Sequence, residues 1–131
     1  MYSVNQLFSS IQNGQQAQKS IINLPKTKIA VEILNILLAE GYILGYAPSY
    51  KLKKNSKLEE FSVFLKYKNG EPLIKRIRQI SSSGKRVYFK SKKIQELSSF
   101  DFLILSTPKG LMTNQKASSL GIGGEAFCQI Y

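Results

Sequence analysis

An α+β fold is predicted for this chain of 131 residues, because helical and strand patterns interleave without a strict parallel repeat. Three observations carry that reading. Apolar residues recur at helical spacing in two N-terminal segments, they alternate at period two from Phe61 to Tyr67, and Gly, Pro and Asn break the chain often enough for antiparallel turns. At this length the default is one continuous core, or two small lobes sharing an interface. We expect an N-terminal α/β lobe with antiparallel strands over residues 1–80. A C-terminal, mostly-β lobe with short helices follows over 81–131, the division falling in the polar Ser81–Lys85 stretch.

Val4, Leu7, Phe8 and Ile11 form the apolar face of a first helix, with Ser3 and Gln6 as a capping-box pattern and Gly14 as its stop. Ser20–Leu24 reads as a strand ended by Pro25. From Thr27, as N-cap, Ile29, Ala30, Ile33, Leu34, Leu37 and Leu38 keep one face apolar until Gly41, which suits a left-handed cap. Tyr42–Tyr50 is then a strand broken near Gly45 and Pro48, and Lys51–Lys57 an exposed turn. Phe61, Val63, Leu65 and Tyr67 make a half-buried strand, which Lys68–Pro72 turns back. Leu73–Ile80 reads as a basic strand, Ser81–Gly84 as a loop and Val87–Phe89 as a short aromatic strand. A helix near Lys92–Leu97, a strand Phe102–Leu105, a bend, a helix Asn114–Leu120 capped by Thr113 and Gly121, and a strand Glu125–Tyr131 complete the chain.

Charge is the unusual property: nineteen Lys and Arg oppose eight acids, without histidine, for a formal net charge of +11. Such a field favours polyanions, nucleic acid or an anionic membrane. Its distribution narrows the choice. Fourteen of the nineteen cations lie between Lys51 and Lys93, mostly in strand and turn sequence, so neither N-terminal helix carries the lysine-rich polar face of a membrane-surface helix. No apolar run approaches the roughly 20 residues needed to span a membrane. The N-terminus lacks a signal core, so a soluble chain starting at Met1 is expected. Cys128 has no disulfide partner in the chain and reads as a small buried hydrophobe on the last strand. With no second cysteine and no histidine, no Cys/His metal site is expected.

The bend Ser106-Thr-Pro-Lys-Gly110 gathers two hydroxyls, a proline, a cation and a glycine. A nucleophilic hydroxyl needs a base in reach, and without histidine a Ser-His-Asp triad is excluded. The acids are scattered singly apart from Glu59-Glu60, which disfavours a pair of catalytic carboxylates. No GxxxxGK loop is present, and Gly121-Ile-Gly-Gly124 does not match GxGxxG, so no nucleotide cofactor is expected. Two readings survive, evenly matched on these residues alone: a simple turn cornered by Pro108, or a surface whose hydroxyls and N–H groups meet phosphates and ribose 2′-hydroxyls. Upstream, Lys85, Arg86, Lys90, Lys92 and Lys93 surround Tyr88 and Phe89, the mixture of cations and aromatics suited to RNA. Strand parity places Arg86, Tyr88 and Lys90 on the exposed side and Phe89 on the other.

Read as a unit, ILSTPKGLMTNQKASSLGIGGEAFCQIY resembles the C-terminal signature of the ribosomal protein S-eight family, the eighth protein of the small ribosomal subunit, whose pattern is like STSKGxMTxxxARxxGxGGExxCxxx. The resemblance runs along the whole chain. Ile11–Gly14 resembles the family's first-helix ending, Leu24–Lys28 its PxSK turn, Ile36–Tyr42 its LxxEGfI helix end, and Ile77–Tyr88 its IkRvSrPGlRvY segment.

The resemblance implies a two-lobe α+β protein, without catalysis or cofactor, that binds a helix in the central domain of small-subunit rRNA and supports its assembly. Its partners would be that rRNA and neighbouring small-subunit ribosomal proteins, with no membrane and no small-molecule substrate. Carried over by position, Ser106, Thr107, Lys109 and Gly110 match the RNA-contacting bend, which enters a minor groove. Gly123, Gly124 and Glu125 match the stretch abutting it, Arg86 and Tyr88 the RxY pair, and Lys26 and Lys28 the N-lobe turn. Lys90 joins them from parity. Pro108 departs from the family's serine and removes a hydroxyl and an N–H; the SrPG proline is likewise missing, leaving that loop less rigid. Lysine greatly outnumbers arginine and the second basic stretch is diluted by Asn, Gln, Ser and Ile, a drift like that of an A+T-biased organelle genome. The expected setting is a mitochondrial ribosome in the matrix, with plastid or bacterial cytoplasm as alternatives.

Overall fold

In a computed structural model, residues 4–49, 60–82, 84–96 and 102–131 are described. The chain forms two compact units, Met1–Lys75 and Arg76–Tyr131. Each mixes helices with antiparallel sheet, as the α+β expectation requires.

In the first unit, helix α1 (Val4–Gln16) leads to strand β1 (Ile21–Pro25), helix α2 (Lys28–Ala39), and strands β2 (Ile43–Pro48) and β3 (Glu60–Leu65). The three strands pair antiparallel in the order β1-β3-β2. Ile22 opposes Val63 and Leu24 opposes Phe61, so the buried residues of both strands share one face. Helix α1 packs against β1 and α2 against β2. The core they close is Leu7, Ile11, Ile22, Leu24, Ile33, Leu34, Leu37 and Val63. The opposite face is mixed: Ile21 opposes Phe64, and the Ser62 hydroxyl donates to Asn23 Oδ1 at 2.9 Å.

Local chemistry sets the boundaries of α2. Thr27 Oγ1 accepts from the Ala30 N–H at 3.1 Å. At the other end Gly41, at φ +79°, lets the Tyr42 N–H reach Leu37 O at 2.8 Å and its own N–H reach Leu38 O at 3.1 Å, the paired bonds of a Schellman motif. Gly14 does not stop α1, which runs on to Gln16. A Cβ there would meet Ile22 Cγ2 at 2.6 Å, so this glycine lets helix and sheet approach. The chain leaves the helix instead through Gln18, at φ +58°. Gly45 marks a register shift in β2, leaving Leu44 as an extra, exposed residue. A two-residue turn, Asn69 at φ +53° and Gly70 at φ +79°, joins β4 (Tyr67–Lys68) to β5 (Glu71–Pro72). The expected Lys51–Lys57 turn lies outside the described residues.

The basic strand expected over Leu73–Ile80 is reduced to β6 (Ile77–Gln79). Ahead of it, the Leu73 N–H bonds Lys66 O at 3.2 Å and the Ile74 N–H bonds the buried Gln15 side chain at 3.1 Å, which ties this stretch to the first unit. The units therefore divide at Lys75/Arg76, ahead of the expected 1–80 and 81–131 division. The reason is that β6 pairs with the last strand of the chain.

In the second unit, β7 (Tyr88–Phe89), helix α3 (Ser91–Glu96), β8 (Leu103–Thr107), β9 (Gly110–Thr113), helix α4 (Asn114–Leu120) and β10 (Gly124–Ile130) follow β6. The sheet order is β6-β10-β8-β9, with β7 also pairing β10. Ile94, Leu103, Leu105, Met112, Ala117 and Ala126 form the core under α3 and α4, with Phe89 packed against it. Thr113 caps α4 by accepting from the Lys116 N–H at 3.2 Å, and Gly121 ends it at φ +68°. Cys128 is fully buried, and burial pushes its thiol up to about 12.

Candidate nucleic-acid interface

The bend is a hairpin tip. Strand β8 does not end at Leu105 but continues through Ser106 and Thr107, which pair with Leu111 and Gly110 of β9. Only Pro108 and Lys109 remain as the turn, and Gly110 accepts φ +108°, a conformation that suits glycine. The extension has a tertiary cause, since Ser106 also opposes Glu125 on β10.

Thr107 closes this turn. Its hydroxyl donates to Gly110 O at 2.8 Å and accepts from the Lys109 N–H at 3.2 Å, with the residue only 9% exposed. Ser106 differs: it is half-buried and faces away from Leu105, which lies in the core.

Register places Ser106, Glu125 and Tyr88 in one row across β8, β10 and β7. Beside that row the chain pinches together. A Cβ on Gly124 would meet Ser106 O at 2.4 Å, and one on Gly123 would meet Phe89 O at 2.4 Å, so both positions admit only glycine without a backbone shift. The result is a shallow surface cleft lined by Tyr88, Lys90, Ser106, Thr107, Gly123, Gly124 and Glu125, with Phe89, Ser91 and Pro108 completing its wall. Seven residues singled out from the sequence thus meet at one place. Lys109 and Gly110 stand at the hairpin tip beside it, exposed.

Parity was informative here. Tyr88 is 69% exposed while Phe89 packs against the core; Arg86 and Lys90 are exposed. What sequence reasoning missed is that Arg86 and Glu125 are partners. Nη1 of Arg86 lies 3.0 Å from Oε1 and 3.3 Å from Oε2 of Glu125, with side-chain exposures of 59% and 10%. No spacing rule joins residues so far apart in sequence; only the β7–β10 register brings them together. Lys26 and Lys28 belong to the first unit, exposed at the β1–α2 turn, with Lys26 Nζ 5.9 Å from the Phe61 ring centroid.

The arrangement offers hydrogen-bond donors, close-approaching backbone and an exposed aromatic within a cationic sequence, the chemistry of a surface for phosphate, sugar and base. Among the described residues no group of three His, Cys, Asp or Glu could hold a metal ion, and no helix is long and apolar enough to cross a membrane.

Comparison with known proteins identifies the family. The family described as Ribosomal protein S8 matches residues 3–131. Small ribosomal subunit protein uS8 of Paramagnetospirillum magneticum is 36% identical over 126 residues, covering 95% of this chain and 93% of that protein. The uS8 proteins of Caulobacter vibrioides (35% identical over 129 residues, 98% and 96% covered) and Albidiferax ferrireducens (38% over 125 residues, 95% and 92%) are similar in the same way. With a family match over nearly its whole length and relatives above one-third identity, this chain belongs to the ribosomal protein S8 family.

Proposed function

We infer that this chain is a structural protein of the small ribosomal subunit that binds a helix in the central domain of small-subunit rRNA, without catalysis, and supports its assembly beside neighbouring ribosomal proteins. The observation that carries the reading is the cleft, in which family-matching residues from β7, β8, the β8–β9 hairpin and β10 converge. Ser106 and the glycine-lined backbone suit the wide, shallow minor groove of an RNA helix. Lys90, Arg86 and Lys109 supply phosphate contacts, and Tyr88 supplies a face for a base or sugar. Lys26 and Lys28 are assigned to the same RNA from the first unit.

The test is binding to a central-domain rRNA fragment against random-sequence RNA duplex at physiological salt. A clear preference for the fragment, declining steeply with salt as counterions are released, is the expected result. Equal affinity for the two RNAs would falsify the assignment.

The setting we propose is a mitochondrial ribosome, on the strength of the lysine-dominated cation set and the lack of histidine; the relatives named above are bacterial, and plastid and bacterial cytoplasm are the alternatives. Mass spectrometry of ribosomes purified from isolated mitochondria tests it, and recovery of the chain only from other ribosomes decides against it.

A further inference from the structure

A surface that attracts polyanions carries a carboxylate at its centre. Glu125 is the one acid among the residues lining the cleft, standing in register between Ser106 and Tyr88. By charge alone it should repel RNA phosphate and weaken binding. Its side chain is only 10% exposed, and both carboxylate oxygens lie within hydrogen-bond distance of a single nitrogen, Nη1 of Arg86. A guanidinium has five N–H donors in a planar fork, so the Nε and Nη2 edge remains available on a side chain 59% exposed.

The backbone beside Arg86 is also fixed. The Val87 N–H bonds Ser81 Oγ at 3.0 Å, and Val87 O accepts from the Ala126 N–H at 2.9 Å. Arg86 is therefore held at its root by β10 and at its head by a carboxylate from the same strand. A free arginine would lose much rotamer freedom on binding a phosphate; one already anchored loses little.

We propose that Glu125 is a positioning residue for RNA binding, holding Arg86 so that the open edge of its guanidinium meets a backbone phosphate at the rim of the cleft. This rests on the RNA-binding reading above and adds a sign to it: removing an acid from a strongly cationic RNA-binding protein should weaken binding.

The experiment is a double-mutant cycle of Glu125→Ala and Arg86→Ala, read as affinity for the central-domain rRNA fragment and for random duplex at one salt concentration, with thermal melts of every variant. The expected result is that E125A alone weakens rRNA binding about tenfold, the scale of one charge-assisted hydrogen bond, whereas in the R86A background it leaves affinity unchanged or raises it. Tighter binding by E125A alone overturns the proposal, because the acid then merely repels phosphate. Equal weakening in both backgrounds also overturns it, because Glu125 then acts on RNA or on the fold without Arg86. If E125A melts too low to assay, E125Q serves, since its amide oxygen can still accept from Arg86. Retained affinity in E125Q supports anchoring, and a large loss at a native melting temperature refutes it. Should the unsubstituted chain show no preference for the rRNA fragment, the specific-rRNA assignment fails on its own. The cycle read on duplex phosphate still decides the role of Glu125.

Discussion

Thr107 and Ser106 are adjacent hydroxyl residues in different surroundings, Thr107 buried and bonded within the hairpin and Ser106 half-buried. Inside the hairpin the Thr107 hydroxyl donates to Gly110 O and accepts from the Lys109 N–H, which leaves one acceptor lone pair. Thr107→Ala should therefore lower stability by about 1–2 kcal/mol, the net worth of two hydrogen bonds, visible as a lower melting temperature. Thr107→Ser should retain most of that stability. A melting temperature unchanged in the alanine variant, together with weaker binding to the rRNA fragment, would instead place the hydroxyl in RNA recognition. Cys128 gives a second residue-scale expectation. Burial raises its pKa from 9.0 to about 12, so the folded state keeps its proton where the unfolded state loses it. Stability on this account is full below pH 9 and falls as pH rises toward 12. A Cys128→Ala variant should lose less stability over that interval in alkaline melts, and the native thiol should resist alkylation at neutral pH until the protein unfolds.

At the scale of elements, α4 and its caps connect the hairpin to the glycine pair. Strand β9 runs into Thr113, whose hydroxyl caps α4, and Gly121 turns the chain toward Gly123 and Gly124. Thr113→Ala should cost about 1 kcal/mol, as loss of an N-cap commonly does, measured by denaturant titration with an unchanged slope. Pro108 fits this hairpin because it lies at the turn, beyond the last paired residue Thr107, where no ladder N–H is demanded of it. The replacement of a hydroxyl residue there leaves the turn closed by Thr107, with Ser106 and Thr107 as the hydroxyls that line the cleft.

For the whole molecule, the formal net charge of +11 sets the sign and strength of the electrostatic field, and ionic strength sets its reach. Lys109, exposed at the hairpin tip, should act as a phosphate contact. Lys109→Gln is expected to weaken specific and random RNA alike and to reduce the salt slope by about 1. A selective loss of rRNA affinity would show instead that it reads the RNA.

The sequence by itself determined the features that depend on near neighbours. Thr27 with Gly41 bounded α2, Thr113 with Gly121 bounded α4, alternation revealed β3, and parity separated Tyr88 from Phe89; each needs only the local geometry of one helix or strand. The terminal motif also exposed the family. Tertiary structure decided what depends on residues distant in the chain. Gly14 is a point of approach to Ile22 rather than a helix stop. Strand β6 belongs with β10, β8 extends to Thr107 because β9 and β10 pair its end, and Glu125 meets Arg86. The Gly14 contact follows from packing of a helix on a sheet, and the others from sheet register, which is fixed when distant strands pair and which no periodicity within one strand encodes.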